Sequence, residues 1–249
     1  MIQIPKNFMG KPIAGSLERV LSNGTTPPVV ETHTLQPPIN APDFSGYIFV
    51  PSIGIYMAKE RTHHRLNWYQ THEALHKENK RMPTLNEFRE YLKYLKENSG
   101  GVAGASVSEI QTILDDILTV RDPWRAEWLD ADFKVDNEEL YIHYNHRSVS
   151  GQLVPQNKEL LTDYLTTDRT PGIDLESWIQ SASPHGLPKP EIKKGKLYYW
   201  APMKDNKSVA RFDVDSDRAN LYCYGRPVFT YASLGVFCVC EANASLQKI

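Results

Sequence analysis

Apolar and polar residues alternate in two runs between Val209 and Glu241. Phe212, Val214 and Ser216 interleave with Asp213, Asp215 and Asp217; Ala219, Leu221 and Cys223 interleave with Asn220, Tyr222 and Tyr224. A period of two sends one set to a core and the other to the opposite face of a strand. Two strands are therefore predicted, with acids, Asn and tyrosines facing outward. Leu234 to Val239 is apolar enough for a buried closing strand. Upstream the period lengthens to that of a helix. Asn67 caps a predicted helix over 67–79, with Trp68, Thr71, Leu75 and the pair His72/His76 at helical spacing. Thr84 with Glu87, and Ser106 with Glu109, are capping boxes, in which each side chain bonds the other residue's free backbone N–H. The first opens a helix to about residue 98, with Phe88, Tyr91, Leu92 and Leu95 on one face and Gly100-Gly101 as its stop. The second aligns Ile110, Ile113, Leu114, Ile117 and Leu118 before Asp122-Pro123 ends it.

Shorter signals fill the rest. Residues 47–50, 53–57, 140–144 and 197–200 read as strands, 151–155 as a turn, and 157–165 and 175–180 as short helices. Trp124 and Trp128, four apart, are expected to pack on the core through one turn, and 184–190 is a loop. Residues 1–45 form a predicted surface arm. It holds a short helix over 16–21 and then Pro27, Pro28, Pro37, Pro38 and Pro42, which break regular structure.

Composition narrows the function classes. The 249 residues are 41% hydrophobic and 23% charged, ordinary values for a globular protein, so a full core is within reach. A formal charge of −2 supplies no basic field for nucleic acid and no polybasic membrane patch. No apolar run approaches the ~20 residues of a membrane span. The first fifteen residues lack the apolar core of a secretion signal, so none is expected. Cys223, Cys238 and Cys240 are an odd number, crowded near the end, and read as buried thiols rather than a disulfide framework.

Asn67-Trp68 on one helix, then Arg81-Met82-Pro83-Thr84 leading into Glu87-Phe88, resembles the two-helix core of C-type-lectin-like domains. The phrase is most similar to the branch shared by formylglycine-generating enzymes and the variable proteins of diversity-generating retroelements. Gly186-Leu187-Pro188, Tyr198-Tyr199-Trp200-Ala201-Pro202 and the closing Leu234-Gly235-Val236-Phe237 fit the same branch. The resemblance implies an α+β, C-type-lectin-like domain over 46–249. Two helices would pack on small antiparallel sheets, with a long insert at 99–195 and a variable region at 209–236. In the retroelement proteins, template adenines are misread, so asparagine codons become many others. Asp213, Asp215, Asp217, Asn220, Tyr222, Tyr224, Gly225, Arg226, Val228, Phe229, Thr230 and Tyr231 all fall in the adenine-reachable set. Arg218, Ala219, Leu221, Cys223, Pro227 and Leu234-Gly235-Val236 read as the fixed frame between them.

That resemblance implies a non-enzymatic binding protein without cofactor or metal, cytoplasmic or virion-associated. Its ligand would be a protein or cell-surface molecule, and several copies would add avidity. Tyrosine suits such a surface, being large, stiff and amphipathic at low entropy cost. Two enzymatic alternatives stand beside it. His72-Glu73-Ala74-Leu75-His76 spells the H-E-x-x-H of zinc hydrolases, with two imidazoles on one helix face and Glu73 as base; no His follows to extend it, and Glu97, at a spacing like that of a gluzincin ligand, closes a different helix. Cys238 and Cys240 lie near the region where a formylglycine-generating oxidase needs its thiols. Asp213, Asp215 and Asp217 open like a calcium loop, yet Arg218 and Tyr224 stand where that loop needs Gly and Glu.

Overall fold

The computed structural model of the protein describes residues 7–8, 11–12 and 44–241. The chain divides into two units, Met1–Ala41 and Pro42–Ile249. Of the first unit, strands β1 (Asn7–Phe8) and β2 (Lys11–Pro12) are described, paired antiparallel. The rest of the predicted arm up to residue 43, with its helix over 16–21, lies outside the described residues.

In the second unit, side-chain caps set where three helices begin. Asn67 accepts from Gln70 N–H while Gln70 reaches back to Asn67 N–H, which starts α1 (Trp68–Lys77). Thr84 with Glu87 starts α2 (Leu85–Glu97), and Ser106 with Glu109 starts α3 (Val107–Leu118). A short fourth helix, α4 (Leu175–Gln180), is capped by Asp174. Arg81 fixes the entry to α2. Its guanidinium holds both Glu87 oxygens at 2.6 Å and a Glu241 oxygen at 2.6 Å.

The architecture is mixed α+β, with mostly antiparallel strands. The strands are β3 (Tyr47–Val50), β4 (Ile55–Ala58), β5 (Arg125–Asp136), β6 (Glu139–Val149), β7 (Gln152–Leu160), β8 (Arg169–Ile173), β9 (Leu197–Trp200), β10 (Val209–Val214), β11 (Ala219–Gly225), β12 (Leu234–Gly235) and β13 (Val239–Glu241). The larger sheet has eight strands in the order β7-β6-β5-β10-β11-β9-β8, with β12 added alongside β5; the smaller runs β13-β4-β3. The β11–β9 and β12–β5 pairings are parallel. Among the described residues no helix is long and apolar enough to cross a membrane.

Several expectations change here. In the second unit one of the two sheets is small and the other has eight strands. Residues 99–195, read as a long insert, supply β5, which pairs with β6, β10 and β12. Trp124 and Trp128 do not form a helical turn: Trp128 lies in β5, fully buried, and Trp124 just precedes it. The helix expected over 157–165 does not form: 157–160 are the end of β7, a strand of nine residues that leaves no side chain fully buried, and 161–165 belong to neither helix nor strand. The turn expected over 151–155 shrinks to Ser150-Gly151, both at positive φ, which matches the twist of a two-residue hairpin.

Packing places the helices on the larger sheet. Phe88, Tyr91, Leu92 and Leu95 of α2 and Ile110, Ile113 and Ile117 of α3 join Phe133, Phe212, Val214 and Leu221 in one core. Trp68 and Leu75 of α1 join Trp128, Ala126, Leu234 and Val236 in a second. The predicted closing strand divides between the sheets: β12 lies on β5, Val236 exchanges backbone hydrogen bonds with Thr62, and β13 pairs with β4. A Cβ on Gly235 would lie 2.6 Å from the Thr62 carbonyl oxygen and 2.8 Å from the Arg61 side chain. Gly235→Ala is therefore expected to destabilise the fold by about 1–3 kcal/mol, the range for overpacking a tight site. Urea unfolding followed by tryptophan fluorescence reads the loss.

Candidate functional site

The alternation in β10 and β11 produces two distinct faces. Phe212, Val214, Leu221 and Cys223 point into the core. On the other face lie Arg211, Asp213, Asn220, Tyr222 and Tyr224, continued by Trp200 of β9. This face is built in two layers. In the lower one Asp213 accepts from Arg211 Nε at 2.6 Å and from Asn220 Nδ2 at 2.7 Å, while Asn220 Oδ1 accepts from Trp200 Nε1 at 3.0 Å. Burial pushes the Asp213 carboxyl upward, against the pull of Arg211. In the upper layer the Tyr222 and Tyr224 rings lie 4.5 Å apart, and both contact Trp200. The Arg211 guanidinium sits 4.3 Å from the Tyr222 ring, a cation–π contact worth about 0.5–2 kcal/mol.

Beyond the free end of this hairpin opens a cleft of about 860 Å³. Tyr222, Tyr224, Gly225, Arg226, Val228 and Phe229 line it together with Arg211, and the far wall comes from Tyr69 and the loop Met203 to Ser208. Its rim is apolar and open: Val228 is 63% exposed, Tyr69 49% and Met203 47%. Six of the twelve sequence-predicted positions thus meet in one cleft. The other six do not join them. Asp215 and Asp217 flank the turn at the opposite end of the hairpin, where Asp215 N–H bonds Arg218 O at 2.8 Å. Thr230 and Tyr231 lie past the cleft, with the Tyr231 ring 5.3 Å from Trp124.

Asp213 and Asn220 are a correction. They were expected to face outward, and they do leave the core face, but both are buried, 2% and 3% exposed, because Trp200, Arg211 and the tyrosines cover them. Tyr69, Met203 and Arg211 were missed. Tyr69 follows the buried Trp68 and carries no periodic signal of its own, and Met203 lies in a loop.

The H-E-x-x-H residues do not converge as a hydrolase needs. Glu73 is exposed and pairs with Lys77 at 2.9 Å, one helical turn on. His76 Nε2 bonds the His146 carbonyl at 3.0 Å. His72 is fully buried, and neither ring nitrogen has a hydrogen-bond partner. A neutral imidazole always carries one N–H, and leaving such a buried donor unmet costs about 1–3 kcal/mol. Burial drives the His72 imidazole down to about 4, against the pull of Asp130.

No protein-family model, curated protein or solved structure matches the chain. The three thiols are free. Cys223 is buried, and burial raises its thiol well above the usual range, as it does more weakly for Cys238, which lies 3.7 Å from the Tyr47 hydroxyl. Cys240 is half-buried. Maleimide labelling of the native protein, mapped by peptide mass spectrometry, should modify Cys240 first and reach Cys223 and Cys238 only on unfolding. Equal labelling of Cys238 and Cys240 would mean that the closing segment opens in the native state.

Proposed function

We propose that the protein is a non-enzymatic binding protein of C-type-lectin-like fold, whose cleft beside β11 is the ligand site and whose contact residues are diversified by a retroelement. The observation that carries this reading is the two-layered face. Residues reachable from asparagine codons by adenine changes (Tyr222, Tyr224, Gly225, Arg226, Val228 and Phe229) line one open cleft, over a support held by hydrogen bonds among Arg211, Asp213, Asn220 and Trp200. Stiff aromatic side chains beside a charged Arg226, with an apolar rim, are the chemistry of a protein-recognition surface. In this reading Asp213 and Asn220 support the surface and do not touch ligand, while Asp215, Asp217, Thr230 and Tyr231 stand at its margins. The fold assignment draws on the Arg81-Met82-Pro83-Thr84 phrase. Its arginine ties the start of α2 to the closing Glu241, and its threonine caps the helix.

The ligand is a protein or a cell-surface molecule, and several copies of the chain would multiply a weak single-site affinity. The deciding experiment is genomic. Sequencing around the source gene should find a near-copy of the codons for 209–236, rich in asparagine codons at 222, 224, 226, 228 and 229, beside a reverse transcriptase gene. A complete locus without that copy overturns the diversification, while the binding cleft would remain to be tested by its own ligand.

A further inference from the structure

We infer that His72, Asp130 and His146 form a buried site for a late first-row divalent metal ion, with zinc as its natural occupant. One potential ligand atom from each of the three residues lies within 4.8 Å of the other two. All three residues are at least 97% buried: His72 is 0%, Asp130 1% and His146 3% exposed. His72 Nε2 sits 3.6 Å from Asp130 Oδ1, too far for a hydrogen bond. It is close to the separation of about 3.3 Å that neighbouring N and O ligands take around tetrahedral zinc. The unpartnered nitrogens of His72 are the independent sign of a missing ligand, since no protein atom within hydrogen-bond reach meets them.

The surroundings are those of a metal site. Asp130 lies where the β5–β10 ladder slips, three residues between Trp128 and Asp132 opposing the one between Arg211 and Val209. Its backbone N–H leaves that ladder for the Pro83 carbonyl at 2.8 Å. Slips of this kind re-aim side chains toward functional sites. The carboxylate is oriented from outside the site as well: Asp130 Oδ2 accepts from the His146 backbone N–H at 3.0 Å. A hydrogen-bonded proton lies between His146 Nδ1 and Asp130 Oδ1, which are 2.5 Å apart. Zinc would displace that proton, and the pair would open by about 0.8 Å to reach ligand spacing. Trp68 packs edge-on against both rings, at 4.3 Å from His72 and 5.0 Å from His146, which fixes their planes. His76, bonded to the His146 carbonyl, orients that residue from behind.

Two imidazoles and a carboxylate suit zinc and leave a fourth position for water; because all three residues are buried away from solvent, the site is assigned a structural rather than a catalytic role. The site would stiffen α1, whose Trp68 N–H bonds the Pro227 carbonyl at 2.9 Å below the cleft. The site stands without the binding reading, since none of its ligands lines the cleft.

The test uses the full chain, stripped with a chelator and retitrated with zinc alone. About one equivalent should bind, and zinc at 100-fold above its Kd should raise the melting temperature by about 5–10 °C. Cobalt substitution should give the visible absorption of a low-coordinate site. His146→Asn should lose both the bound equivalent and the cobalt spectrum while keeping the circular dichroism of a folded chain. If that variant fails to fold, His72→Gln is read in the same way. The inference is overturned if the stripped, folded protein binds no stoichiometric zinc. It is also overturned if either variant binds zinc as the parent does.

Discussion

Strand β5 carries the structure, because both of its edges and both of its faces are committed. Along one edge it pairs with β10 and along the other with β6 and β12, so its own hairpin partner and two segments distant in sequence close on one backbone. From Arg125 to Ala131 every residue is buried, with Leu129, Ala131 and Phe133 in one core and Ala126 and Trp128 in the other. A strand with both faces covered must also meet the needs of the charges it carries. Glu127 pairs with Arg61 at 3.2 Å, Arg125 bonds the carbonyls that end α3, and Asp130 holds His146. Removing one partner of such a pair leaves a charge stranded in the interior, which is why buried polar groups fix registers so strictly.

The cleft depends on that constraint. β10 lies beside β5, and β11 hangs from β10, so the tyrosine face is the outer skin of the most heavily tied part of the sheet. Beneath the tyrosines, Arg211, Asp213, Asn220 and Trp200 satisfy one another almost completely. A surface supported in this way can change its outermost side chains without disturbing the support. That separation of contact from scaffold is the physical requirement for a site whose specificity is exchangeable.

The helices were legible in the sequence because their caps are local. Thr84 with Glu87 and Ser106 with Glu109 act within four residues, and the structure starts both helices one residue after the cap. β5 was not legible. Its charged residues Arg125, Glu127 and Asp130 look exposed in sequence, and they are tolerated only because partners arrive from residues 61 and 146 and from the end of α3. β7 was hidden for the opposite reason: none of its side chains is fully buried, so it shows no periodicity to read. The same contrast runs through the sites. The alternation over 209–225 placed the tyrosines correctly but could not show that Trp200 would cover Asn220. The H-E-x-x-H spelling drew attention to His72 but paired it with His76, whereas its neighbours in space, Asp130 and His146, come from two strands that no local motif connects.

The most direct measurement of the account is a paired library scored by resistance to proteolysis. One library randomises Tyr222, Tyr224, Arg226, Val228 and Phe229; the other randomises Asp213, Asn220, Arg211 and Trp200. The two-layered face predicts that most members of the first stay folded, with single changes within about 0.5 kcal/mol of the parent everywhere but Tyr222, where loss of the cation–π contact with Arg211 adds about 0.5–2 kcal/mol. Most members of the second should lose about 1–3 kcal/mol per change through unmet buried groups. Equal loss in the two libraries would contradict the separation of contact surface from support.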